Sequence, residues 1–137
     1  MNKIIFNGKI LKEENLMFNQ FKRAVNFGDG FFETIRVING KEIFFEDHFT
    51  RIKSGLNFLK IDYPSSFNFN FLKQEIHSLL EINNIDAGGK IKIYFFRSGL
   101  GTYKPLSNKI SYVIETIKLN SNFYELNKKG YLVSIFK

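Results

Sequence analysis

Asp47, His48 and Arg51 fall within one turn of a stretch with helical spacing, so all three crowd one side of that helix near its N-terminal half. A guanidinium held by a neighbouring carboxylate presents a fixed fork suited to phosphate or carboxylate oxygens, so this group can bind an anion. The same spacing also describes an ordinary surface ion pair, worth little. Lys92 is the second candidate. It lies between isoleucines and shares a strand face with Tyr94 and Phe96, where an ammonium among aromatic rings holds a carboxylate or carries a depressed pKa. The alternative is a strand whose outer face is wet. His48 taken alone reads as a packed helix residue, and Phe27, Phe31 and Phe32 read as core as readily as ligand wall.

The charge pattern narrows the partners. The formal charge is +7 and the isoelectric point about 9.6, yet the basic residues are sixteen Lys against four Arg, and the lysines are scattered instead of clustered. Scattered lysines describe a solvated face and no nucleic-acid groove. Zero cysteines remove disulfides, thiol nucleophiles and thiolate metal sites, and His48 and His77 are a poor start for a zinc site. No metal and no membrane span are predicted, and the chain reads as cytoplasmic. At 137 residues with 44% hydrophobic content, it has the material for one domain and the beginning of a second.

The elements that position these residues follow from turn chemistry and period. Asn7-Gly8 between Ile4-Ile5-Phe6 and Ile10-Leu11 predicts a tight hairpin. Phe27-Gly28-Asp29-Gly30 predicts a backbone excursion through positive φ, leading into the strand Phe31–Ile38. Asn39-Gly40 then predicts a second hairpin, with its return strand over Lys41–Phe45. Apolar spacings of three and four predict helices over Glu46–Phe58 and Asn68–Ile82. Lys90–Arg97, Ile110–Lys118 and Tyr131–Phe136 (YLVSIF) read as strands, with a polar linker over Leu119–Lys129. Tight turns and two adjacent helices predict an α+β domain, an antiparallel sheet covered on one side by two helices. No GxGxxG opens a helix, so a dinucleotide-binding fold is excluded.

The order RAVNFGDGFFETIRV (residues 23–37), then Asn39-Gly40, then EDHFTRI (46–52), then Lys92 and Arg97-Ser98-Gly99 resembles the N-terminal half of class IV aminotransferases. That is the fold-type IV family of pyridoxal 5′-phosphate (PLP) enzymes, which includes branched-chain and D-amino-acid aminotransferases and aminodeoxychorismate lyase. All four arginines fall inside these motifs. The resemblance implies that Arg51 binds the cofactor phosphate, and that Phe27, Phe32, Lys92 and Tyr103 line the substrate pocket. A lysine at position 92 leans towards the lyase.

The resemblance also implies what these residues lack. The lysine that bonds to the cofactor in relatives, and the carboxylate that holds the pyridinium nitrogen, belong to a second domain. Lys137 precedes the expected position, so no catalytic residue is assigned. Residues 1–118 are thus expected to be the N-terminal domain, and 119–137 a linker with the first strand of a C-terminal one. The parent enzyme is expected to be a homodimer acting on an amino acid and keto acid, or on aminodeoxychorismate, while the chain alone is inactive. A module that keeps the fold and binds nucleic acid or protein is the alternative.

Overall fold

Two Asn-Gly pairs reverse the chain where hairpins are predicted: Asn7 and Gly8 take φ of 48° and 80°, and Asn39 and Gly40 take 51° and 68°. These left-handed values are those of a primed turn. The computed structural model describes residues 2–16, 19 and 21–136. The first turn joins β1 (Lys3–Phe6) to β2 (Lys9–Lys12), and the second joins β3 (Gly30–Ile38) to β4 (Lys41–Glu42). With β5 (Gly89–Arg97) and β6 (Ile110–Lys118), these form a six-stranded sheet in the order β2-β1-β6-β5-β3-β4, with each strand antiparallel to its neighbours.

The return strand after Asn39-Gly40 is shorter than its sequence predicts. It stops at Glu42, and Phe44, at φ 55°, turns the chain so that a helix begins at Phe45. Phe45 is worth more to the core as the first residue of the helical stripe than as the last of a strand. It is buried, its ring centroid lies 4.9 Å from that of Phe69, and Phe49, Ile52 and Leu56 continue the stripe. Among the described residues three α-helices accompany the sheet: α1 (Lys22–Phe27), α2 (Phe45–Phe58) and α3 (Phe69–Ile82). Helix α3 buries Leu72, Ile76, Leu79 and Leu80. Asn68 caps it by accepting from the Phe71 amide at 3.0 Å, a bond worth about 1 kcal/mol.

Helices α2 and α3 lie on the face of the sheet that carries Ile35, Val37, Ile91, Ile93, Phe95 and Ile114, and together they form the main core. The opposite face holds a smaller cluster of Ile4, Phe96 and Val113, covered by Phe21 and Ala24. Ala24 lies in the short α1, where the sequence pattern predicts no element. That helix ends at Gly28, whose φ of 61° is its left-handed cap.

The predicted strand Tyr131–Phe136 is not formed. Among the described residues the segment has no ladder partner, and Tyr131, Leu132, Val133, Ile135 and Phe136 are between 83% and 105% exposed. A strand exists only against a neighbour, and β6, the strand before it, already has β1 and β5 on its two sides. No helix is long and apolar enough to cross a membrane among the described residues.

Candidate functional site

Strand β3 is unpaired along one edge for most of its length. Its pairing with β4 is confined to Val37 and Ile38, while the other side pairs with β5 from Gly30 to Val37. Alternation sends neighbouring side chains to opposite faces. Glu33 therefore points to the helix-covered face with Phe31 and Ile35, and Phe32 points to the other. Two clusters result, one on each side of this strand.

On the helix side, Glu33 is buried, its side chain 4% exposed, and its Oε1 meets two residues of α2. Arg51 Nη2 forms an ion pair with it at 3.1 Å, and His48 Nδ1 lies within hydrogen-bond distance at 2.7 Å. A carboxylate only accepts, so the proton of this contact sits on His48 Nδ1. The anion-binding group read from the sequence thus forms, but its carboxylate is Glu33, contributed by the sheet, in place of Asp47 one turn away. One end of the guanidinium is tied down, and the side chain as a whole remains 71% exposed. One prong of this fork is paired and the rest is exposed to an anion.

On the open face, Lys92 stands opposite Thr34 in register, and its Nζ lies 4.5 Å from the Phe32 ring centroid and 4.8 Å from that of Tyr94. Two aromatic faces on one ammonium are a cation–π arrangement. Tyr94 in turn donates to Glu115 Oε1 at 2.8 Å. Burial, and then that bond to Glu115, push the Tyr94 hydroxyl above its ordinary pKa against the opposing pull of Lys92, so it stays a donor. Beside this cluster, Phe32, Tyr94, Phe96, Val113 and Glu115 help line a largely apolar cavity of about 480 Å³. Phe27 and Tyr103 meet each other, with ring centroids 6.3 Å apart, and Arg23 lies over Phe27 at 5.2 Å.

The five residues singled out by sequence therefore fall into three groups: Arg51 with Glu33, Phe32 with Lys92, and Phe27 with Tyr103. Arg51 approaches from the helix side and Lys92 rises from the other face, so the uncovered stretch of β3 runs between them. Phe27 and Phe32, which read as core as readily as wall, are 42% and 59% exposed, whereas Phe31 packs against Phe95 with ring centroids 5.1 Å apart.

Two features were missed. Glu33 lies at an inward position between Phe31 and Ile35, and a carboxylate there demands a cation; that was the available signal. The second is Asp29. Arg23 Nε reaches its Oδ2 at 2.5 Å and Arg97 Nε reaches the same atom at 3.0 Å. Arg97 also donates to the carbonyls of Leu59 and Lys60 and to Asn108 Oδ1, and Arg23 to the carbonyl of Thr102. This buried triad holds the glycine turn to the loops around it. Arg36, the remaining arginine, donates to the Ser121 and Phe123 carbonyls and so fastens the segment that follows β6.

Comparison with known proteins places this architecture. The family described as amino-transferase class IV matches residues 30–132. A D-alanine aminotransferase of Bacillus licheniformis is 31% identical over 87 residues, covering 64% of this chain and 30% of that protein. Among solved structures, the branched-chain amino acid aminotransferase of Thermobaculum terrenum in its PLP form superposes with a TM-score of 0.72 at 17% identity, over 88% of this chain and 41% of that one. The 4-amino-4-deoxychorismate lyase of Pseudomonas aeruginosa gives 0.62 at 26% identity, over 84% of this chain and 39% of that one. The chain thus spans well under half the length of the relatives it matches. The chain belongs to the class IV aminotransferase family, and its α+β fold is that of the N-terminal domain of fold-type IV enzymes.

Proposed function

We propose that this chain contributes the cofactor-phosphate ligand and part of the substrate wall of a PLP-dependent class IV enzyme, a transaminase or an aminodeoxychorismate lyase. The observation that carries this reading is the Arg51 guanidinium, tied at one end to a buried carboxylate and otherwise open. Its donors fit a phosphate, which accepts hydrogen bonds and carries the opposite charge. When bound, PLP supplies an aldehyde that takes up the substrate's amine and a ring that withdraws electrons from the α-carbon.

The residues of this chain bind and orient. Arg51 holds the phosphate. Lys92, flanked by Phe32 and Tyr94, presents a cation to a substrate carboxylate on the open face. Phe32, Phe27 and Tyr103 supply apolar surface that excludes water from that side. Residues 1–118 form this N-terminal unit, and the segment from 119 leads towards a second domain. The amine that bonds to the cofactor comes from outside these residues, and the whole enzyme is a homodimer acting on an amino acid and keto acid, or on aminodeoxychorismate.

Pyridoxamine 5′-phosphate tests the phosphate role without covalent chemistry. Titrated into the labelled chain, it should shift the Arg51 Nε resonance, pyridoxamine lacking the phosphate should not, and Arg51→Gln should abolish the response. Equal shifts from the two probes would refute the assignment.

A further inference from the structure

We propose that Glu33 is the positioning residue of Arg51, an inference that deepens the phosphate reading and rests on it. Arg51 leaves the exposed side of α2 on a long side chain, and a free guanidinium there would sample many rotamers. What restrains it is one atom. Glu33 Oε1 is ion-paired with Arg51 Nη2 at 3.1 Å, and Glu33 itself is held by the β3–β5 ladder opposite Ile93.

The carboxylate is in turn held from a second direction. His48 Nδ1 lies at 2.7 Å from the same oxygen, its ring largely buried, three residues before Arg51 on the same helix. A carboxylate held by the His48 hydrogen bond while it pairs with Arg51 one turn away keeps its oxygen in place, so one prong of the guanidinium is tethered to the sheet through Glu33.

Burial argues that this is more than filling space. Glu33 occupies an inward position between Phe31 and Ile35, where an apolar side chain would bury without desolvating a charge. The carboxylate is costly there, and what it gains is a direction for Arg51.

Two consequences of Glu33 act on anion binding with opposite signs, which makes the idea decidable. Its negative charge beside the guanidinium weakens attraction for phosphate, while its grip on Arg51 strengthens it. Glu33→Leu removes both. If positioning dominates, pyridoxamine 5′-phosphate binds about tenfold more weakly, the size seen when groups that orient a ligand are lost. Glu33→Gln, which keeps an acceptor oxygen, should lie between Glu33→Leu and the wild type.

The titration is read by NMR, with 15N relaxation of Arg51 Nε recorded in each protein: ordered in the wild type, mobile in Glu33→Leu. If Arg51→Gln abolishes binding while Glu33→Leu binds as tightly as wild type or more tightly, the positioning role is overturned and the phosphate reading survives. If Arg51→Gln binds like wild type, or the wild type shows no response, the phosphate reading falls and takes the inference with it. Should Glu33→Leu fail to fold, the wild-type relaxation decides: an Arg51 Nε as mobile as a free surface side chain overturns the proposal.

Discussion

Replacing Asp29 with Asn keeps the shape of the side chain and removes the charge that two buried guanidiniums share. Arg23 and Arg97 have side chains 6% and 9% exposed, and Asp29 is 12% exposed. Both cations also bond to backbone carbonyls and remain in place when the carboxylate is lost, so the variant leaves two buried positive charges uncompensated. Breaking a buried pair in this way costs about 3–5 kcal/mol. For a chain of this size that lowers the melting temperature by roughly 10–17 °C. The wild type carries an acid signature of the same interaction. Burial raises the Asp29 pKa, but the hydrogen bonds and charges of Arg97 and Arg23 outweigh it and hold the carboxyl below its usual range. A depressed folded pKa contributes stability that is complete above the ordinary carboxylate value and is lost as pH falls through the folded one. Urea unfolding followed by circular dichroism, at neutral pH and along an acid series, measures both effects. Asp29→Asn should be less stable at neutral pH and should lack that component of acid loss. A neutral-pH difference below about 1 kcal/mol would refute the assignment of the triad as the tie that holds the glycine turn.

Gly30→Ala places a Cβ 2.5 Å from the Phe95 carbonyl oxygen and 2.9 Å from Phe96 Cβ; because the first of these is backbone, a loss of about 1–3 kcal/mol in urea unfolding should follow. Leu72→Ala empties a fully buried position between α3 and the sheet, and the same assay should show a cost of about 2–5 kcal/mol. Incubation with PLP followed by borohydride should leave no single lysine stoichiometrically modified by mass spectrometry, since the amine this chemistry uses is assigned outside these residues; one uniquely labelled lysine would contradict that. On a nucleic-acid column the chain should elute by physiological salt, because its sixteen lysines are scattered through the sequence instead of clustered; retention beyond that point would favour the binding-module alternative.

Much of the fold is local in origin and was therefore legible in one dimension. The Asn-Gly turns, the apolar stripe of α2 and the alternation of β5 are properties of residues a few positions apart, and each folds as its spacing predicts. The return strand stops short because Phe45 is buried as the first residue of α2, and the terminal YLVSIF segment has no ladder partner among the described residues; neither packing partner lies within a window of local sequence. Phe45 shows the same limit from the other side, since the choice between strand end and helix start depended on Phe69, 24 positions away.

The candidate site divides along the same line. Residue types and spacing were enough to mark Arg51 as a cation built for an anion and to set Lys92 among aromatic rings, because charge, geometry and period belong to the chain itself. Which carboxylate would hold Arg51 was settled by packing. Helical spacing nominated Asp47, while the docking of α2 against β3 brought Arg51 to Glu33, 18 residues earlier. The same assembly drew Arg23 and Arg97 to one aspartate across 74 residues of chain. An ion pair depends on distances of a few ångströms in space, and only the closing of helices onto the sheet sets those distances.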